Sequence, residues 1–252
     1  MNPAQRARLD IREKRHTGTT RGLAPGYVQC NLAVVPRALA FDFLLYCQRN
    51  SRACPVLEVC DPGSWEPKQL APSADLRTDL PKYCIFEEGK SREATDAKAA
   101  WRNDLVAFLI GSGLTFDGAF ERAGVPTDRH RWVVNSSIPT VPAGPFHGDM
   151  VVTMRWLTPQ QAIVATQVSS RFPHNHGAPI HVGDPATIGV RMENALYGGT
   201  IPAIPPGLVP VFWACGVTPQ EAALRARVEL MITHAPAHGF VTDLEADRFC
   251  LP

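Results

Sequence analysis

The sequence predicts an α/β protein, and three observations carry that prediction. Strand-like apolar runs alternate with helix signals three times along the chain. Two of the helices open on the same Thr-Pro-Gln signature, at Thr158 and Thr218. The composition is that of a packed globule: 252 residues, 45% apolar and 19% charged, too hydrophobic for a disordered chain. A chain this long buries roughly 70–75% of its unfolded surface, so its core needs no staples. The layout predicts a main α/β domain from both chain ends, residues 1–112 and 201–252, and a smaller α+β domain inserted over residues 113–200.

The elements follow in order. Arg6, Arg8, Arg12, Lys14 and Arg15 crowd the start, but no apolar run follows, so this is no secretory signal. Asp10 and Glu13 interrupt the basic run, which reads as a solvated helix face. Tyr27–Val34 is a strand, Ala38–Cys47 an apolar helix opened by Pro36, and Val56–Val59 a short strand ending at Asp61-Pro62-Gly63. A loop-rich stretch follows, and then a helix is expected from Asp96 to Ile110, where Trp101, Leu105, Phe108 and Leu109 fall at helical spacing. Met150–Trp156 is a strand, and Thr158-Pro159-Gln160-Gln161 forms a capping box for a helix reaching Ser170. Pro179–Val182 returns as a strand, and the proline-rich run Gly198–Pro210 is a linker. Val209–Cys215 is a strand, Thr218 with Glu221 supplies a second capping box, and Glu229–Thr233 is the last strand.

Charge and motifs then narrow the function. Lys plus Arg number 25 against 24 Asp plus Glu, a net charge of +1. That balance carries no footprint for nucleic acid or an anionic membrane, so the expected ligand is small. The longest apolar runs, such as Leu105–Ile110, are too short to span a bilayer. Seven cysteines at irregular spacing, with no C-x-x-C pair, predict reduced thiols in the cytoplasm. No G-x-G-x-x-G, P-loop, G-x-S-x-G or H-E-x-x-H motif is present.

Several residues can carry chemistry. Cys215 ends a strand just before a helix, where a helix N-terminus would favour thiolate; the alternative is a buried strand cysteine. The loop from Ser169 to Pro185 gathers Arg171, His174, His176, His181 and Asp184 among glycines and prolines. It can bind substrate, move protons or simply hydrogen-bond itself. A divalent metal there is a further alternative, although H-x-H-x4-H matches no established zinc spacing. His234 ends the strand after the Cys215 helix and can pair with the thiol as acid or base; His238 follows it. Arg77, in the polar loop Asp75–Pro81 with Thr78 and Asp79, can clamp a carboxylate, as can Arg155 and Arg171; a surface ion pair is the alternative for each.

The segments GYVQCNL (Gly26–Leu32), FDFLLYCQRN (Phe41–Asn50), CPVLEV (Cys54–Val59), LRTDLPKY (Leu76–Tyr83) and DLVAFLIG (Asp104–Gly111) resemble the D-glutamate cyclase family. So do FHGDMVVTMR (Phe146–Arg155), SRFPHNHGAPIHVGDP (Ser170–Pro185), VPVFWACGVTPQ (Val209–Gln220) and ITHAPAH (Ile232–His238), in order along nearly the whole chain. The resemblance implies a lyase of D-amino-acid metabolism that forms 5-oxo-D-proline and water from D-glutamate. It also implies a three-layer α/β/α main domain with a smaller two-layer α+β domain. Ser112 and Thr140 stand where family members often carry cysteine, which leaves Cys215 as the candidate thiol. The candidate catalytic residues are then Cys215, His181, Asp184 and His234, and the candidate substrate-binding residues Arg77, Thr78, Asp79, His147, Arg155, Arg171 and His176. No cofactor is predicted. The expected partner is a small acidic substrate, with self-association left open. Dehydration of a small hydroxy acid and non-catalytic binding of a small acid are the alternative functions.

Overall fold

A computed structural model describes residues 1–127 and 131–251. The chain runs α1 (Pro3–Arg12), β1 (Tyr27–Pro36), α2 (Arg37–Arg49), β2 (Val56–Val59), β3 (Tyr83–Glu87), β4 (Lys90–Ala94) and β5 (Leu105–Gly111). It continues with α3 (Asp117–Arg122), β6 (Trp132–Pro139), β7 (Asp149–Leu157), α4 (Pro159–Ser170), β8 (His181–Val182) and β9 (Ala195–Tyr197). The last elements are β10 (Val209–Ala214), α5 (Thr218–Ala226), β11 (Met231–His234), β12 (Phe240–Glu245) and α6 (Ala246–Phe249).

Helices and strands mix as an α/β chain should, but they assemble into two antiparallel sheets. The larger has the order β2-β5-β1-β11-β3-β4, with β12 also paired to β1. The smaller has the order β8-β10-β7-β6-β9. Every strand pairing among the described residues is antiparallel. Strand β10 joins the sheet built from residues 132–197, although it comes from the segment 201–252. Among the described residues no helix is long and apolar enough to cross a membrane, and all seven thiols are free.

The centre of the larger sheet explains one misread element. Instead of a helix over Asp96–Ile110, Lys98–Ala100 forms a single 3-10 turn and Leu105–Gly111 is strand β5, paired to β1 from Cys30↔Gly111 to Pro36↔Leu105. Leu105, Ala107 and Leu109 pack into one core with Leu32, Val34, Phe116 and Phe120. Val106, Phe108 and Ile110 pack into the other, with Phe43, Tyr46 and Cys47 of α2. A strand buried on both faces is apolar at every position, so it loses the alternation that would mark it as a strand.

The helix starts divide as well. At α4 the box forms: the Thr158 hydroxyl accepts from the Gln161 N–H at 3.2 Å, and Gln161 Oε1 accepts from the Thr158 N–H at 3.1 Å. At α5 it does not. Thr218 is already helical and buried; its hydroxyl donates to the Cys215 carbonyl at 2.7 Å and accepts from the Val151 N–H at 3.1 Å. That side chain fixes α5 to β7 and to Cys215 rather than capping its own helix. The return strand near Pro179 is only His181–Val182. Helix α1 is no solvated face either. Arg8 is buried, gripping both carboxylate oxygens of Asp243 at 3.0 Å, and Arg12 holds Asp79 through two bonds of 2.7 and 2.6 Å.

Candidate active site

The two sheets meet around a cavity of about 410 Å³, a volume suited to a small molecule. The larger sheet contributes Asn31 from β1, Ser112 and Gly113 after β5, and His234 at the end of β11. The smaller sheet contributes Thr153 and Arg155 from β7, Trp213 from β10, and Cys215 beyond it. His176 and His238 enter on loops, and Arg21 and Arg131 line the same space.

Two close backbone approaches set these parts in place. A Cβ on Gly111 would lie 1.7 Å from the His174 carbonyl oxygen. Only glycine therefore lets the end of β5 meet the turn that carries His176. Asn175, fully buried, reinforces the junction by donating to the Ser112 carbonyl at 3.2 Å and to the Thr115 hydroxyl at 3.0 Å. His176 itself adopts a left-handed backbone conformation, φ 76°, a cost that tends to collect at functional sites. On the other side, Gly216 packs directly on Asn31.

The histidines are held neutral and oriented. Burial pulls His176 and His234 down to about 4, because an imidazolium loses its hydration there. The Nδ1–H of His176 donates to the Arg52 carbonyl at 2.9 Å, and that of His234 points at the Leu32 carbonyl at 3.4 Å. His238 Nδ1–H donates to the Pro236 carbonyl at 2.8 Å. A carbonyl can only accept, so in each neutral ring Nδ1 carries the proton and Nε2 keeps its lone pair. Three imidazoles able to accept a proton thus border one cavity.

Cys215 is half-buried. Burial pushes its thiol up, against hydrogen bonds from the Thr153 hydroxyl and the Val217 N–H that favour thiolate. The lowering expected from the helix N-terminus is therefore overturned: desolvation outweighs it, and the neutral thiol is the resting form.

The cations converge at Asp117, the first residue of α3. Its buried carboxylate accepts from Arg155 Nη2 at 2.9 Å and from Arg131 Nη2. Burial would raise the Asp117 carboxyl, but Arg155 and Arg131 together hold it below the usual carboxylate range. Burial, and then repulsion by Arg131, lower Arg155 to about 10. The Arg155 guanidinium stacks over Phe120, Trp213 and Phe116, at 5.1, 5.5 and 6.0 Å from the ring centroids.

Of the residues singled out in the sequence, Cys215, His234, His238, Ser112, Arg155 and His176 line this cavity. The other candidate site residues do not, and each has a partner within the protein. Asp184 is exposed and caps the turn after it by accepting from the Ala186 N–H at 3.0 Å. His181 stacks on Phe212 and bonds the Asp184 carbonyl at 2.8 Å. Arg77 is spent on Asp75 through bonds of 2.9 and 2.8 Å, and lies 3.9 Å over the Trp65 ring. Asp79 binds Arg12 and accepts from the Thr78 hydroxyl at 3.0 Å. His147 is exposed and donates to the Pro145 carbonyl at 3.1 Å, and Arg171 donates to the Leu251 carbonyl at 3.0 Å. Asn31, Asp117, Arg131 and Arg21 also line or support the cavity; the first three bond to residues 14 to 80 positions away, and no local spacing announces them. Among the described residues no group of three or more His, Cys, Asp and Glu side chains is placed to hold a metal ion.

Comparison with known proteins agrees with the motif order. A match to the D-glutamate cyclase family spans residues 106–243, from β5 through β12 and so across most of the cavity wall. A protein of Geobacillus kaustophilus named "Putative hydro-lyase" is 47% identical over 251 residues, covering 97% of this chain and 95% of its own. Relatives under the same name from Bordetella petrii and Stutzerimonas stutzeri are each 48% identical, covering 98% and 94% of this chain and 96% and 92% of theirs. With identity of this order over nearly its whole length, the chain belongs to the D-glutamate cyclase family.

Proposed function

We propose that this chain is a lyase that closes D-glutamate into 5-oxo-D-proline and releases water. The proton inventory of that reaction is specific. Glutamate, with one ammonium and two carboxylates, and 5-oxoproline, with one carboxylate, carry the same net charge. Two protons leave the nitrogen, the nitrogen bonds the γ-carboxyl carbon, and the same two protons leave on one γ-oxygen as water. The site must therefore take protons and return them, with no net acid or base consumed.

A neutral imidazole is suited to both halves of that task. The observation that carries the reading is that Cys215, His234 and His176 share one cavity with the guanidinium of Arg155. His234, with Nδ1 on a carbonyl and Nε2 unprotonated, is assigned to taking the ammonium proton. Cys215, a neutral thiol, is assigned to donating toward the departing oxygen and being reprotonated by the imidazolium; a second round of the same relay carries the second nitrogen proton to that oxygen, which leaves as water. Guanidinium N–H groups offset the charge that makes a carboxylate a poor electrophile. Enclosure of a flexible five-carbon chain brings amine and carboxyl together, and proximity supplies much of the remaining acceleration.

The three-layer main domain with a smaller domain over residues 113–200 belongs to the same reading. Cores on both faces of the larger sheet support the layering, with α2 and α5 on one side; on the other, α3 and α4 come from residues 113–200, so the smaller unit supplies one of the layers. The name hydro-lyase carried by the relatives is met equally by dehydration of a small hydroxy acid, and the cavity offers that reaction a base and carboxylate donors.

The test is incubation of the purified chain with D- and L-glutamate, followed by chiral detection of 5-oxoproline. Formation of the D-lactam from D-glutamate supports the proposal. Failure to form lactam from either enantiomer, together with water loss from a hydroxy acid, would select the second reading.

A further inference from the structure

Each guanidinium carries five N–H donors and no acceptor. At Asp117, one nitrogen of Arg155 and one of Arg131 are satisfied by the carboxylate. Arg155 Nε, Arg155 Nη1 and Arg131 Nε are buried and have no hydrogen-bond partner among the described residues. The side chains are only 6% and 8% exposed, so bulk water does not replace the missing acceptors. Buried charged donors left unpaired are costly.

The charge count is short in the same direction. Two buried guanidiniums face one buried carboxylate; of the exposed charges lining the cavity, Arg21 adds a cation and Glu93 a carboxylate already paired with Lys82. The aromatic walls of Phe116, Phe120 and Trp213 keep the surroundings apolar, which strengthens attraction for an anion. One further carboxylate would balance the two buried cations where Arg131 and Arg155 line the cavity.

We infer that Arg131 and Arg155, aligned by Asp117, form a seat for a ligand carboxylate, and that the group seated there is the α-carboxylate, which survives in the product. The choice of α over γ rests on the cyclisation reading, in which the reacting carboxyl lies against Cys215 and His234. The seat itself rests on the charge count and on the two arginines lining the cavity side by side. Arg131 and Asp117 thereby become determinants of substrate class: the site takes acids that keep a carboxylate through the reaction. Asp117 is a positioning residue, since it acts through the two arginines.

The experiment compares two lactams that differ only in that carboxylate, 5-oxo-D-proline and 2-pyrrolidinone, with glutarate as a dicarboxylate that cannot cyclise. Binding to the full chain is followed by calorimetry for wild type, Arg131→Gln and Arg131→Lys. The expected result is that wild type binds 5-oxo-D-proline at least about tenfold more tightly than 2-pyrrolidinone. Arg131→Gln should erase most of that difference by weakening 5-oxo-D-proline alone. Arg131→Lys, which keeps a cation beside Asp117, should retain part of it. With D-glutamate as substrate, Arg131→Gln should raise KM and spare kcat, because the seated group does not change charge during the reaction. Equal binding of the two lactams by wild type, with glutarate also unbound, would overturn the seat. So would an unchanged preference in Arg131→Gln. Glutarate binding that depends on Arg131, in a protein that turns over no glutamate, would uphold the seat and remove the cyclase reading.

Discussion

Gly216 rests so closely on Asn31 that a Cβ added to it would come within 1.9 Å of Asn31 Nδ2. Asn31 cannot easily withdraw, since that same nitrogen donates to the Gly111 carbonyl at 3.0 Å. The residue after Cys215 is thus seated on the central strand of the other sheet, and the thiol's position depends on this contact. Gly216→Ala is expected to destabilise the fold by about 1–3 kcal/mol, as overpacked sites do, and to depress turnover. Urea unfolding, with activity measured at equal folded fraction, separates the two effects.

Asp117 is the sole carboxylate to which Arg131 and Arg155 are bonded among the described residues. Asp117→Asn removes its charge and leaves two buried guanidiniums unbalanced, which is expected to cost about 3–5 kcal/mol. Because the folded-state carboxyl is held below its usual value, its stabilising contribution is complete above about pH 4 and is lost as pH falls further. Chemical denaturation at neutral and acidic pH should show the variant to be less stable at neutrality and less sensitive to acid.

The buried histidines move stability in a higher pH window. With folded values of about 4 for His176 and His234 and an unfolded value near 6.5, the unfolded chain binds more protons between those limits. Stability from each is therefore full above about pH 6.5 and falls as pH drops toward 4, by on the order of 3 kcal/mol per group. Urea midpoints between pH 7 and pH 5 should fall steeply for wild type and less steeply for His176→Gln. The same depressed values predict that activity keeps an unprotonated base well below pH 6.5, so no acid limb should appear at the pKa of free imidazole.

Cys215 rests as a thiol raised above its ordinary value of 9.0. Its alkylation by iodoacetamide, mapped by peptide mass spectrometry, should be slow at pH 7 and still accelerating past pH 9. A fast reaction at neutral pH would show a thiolate instead. Cys215→Ala should lose most turnover of D-glutamate while keeping glutarate binding, because the seat at Arg131 and Arg155 does not involve the thiol.

What could be read from the sequence was whatever is written locally. Thr158 and Gln161 lie three residues apart, and their capping box forms as read. Strand β1, helix α2 and strand β10 carry their signals in their own residues, and Cys215 and His234 stand where strands end. Strand β5 was hidden because both its faces are buried, and the α5 box failed because the Thr218 hydroxyl found Cys215 and Val151 instead. The cavity's cationic end is a long-range product. Asp117 and Arg155 lie 38 residues apart and meet only after two sheets have packed. Conversely, Arg77 with Asp75, and His181 with Asp184, cluster in sequence and bond one another, away from the cavity.

In the proposed cyclisation one γ-carboxyl oxygen of D-glutamate leaves as water, and the two protons it takes up are balanced by two lost from the nitrogen. The most direct measurement follows D-glutamate with both γ-carboxylate oxygens isotopically labelled. The expected result is 5-oxo-D-proline retaining one label, water carrying the other, and no net change of pH in unbuffered solution. Loss of both labels, persistence of both in an uncyclised product, or an equal rate with the L-enantiomer would contradict it.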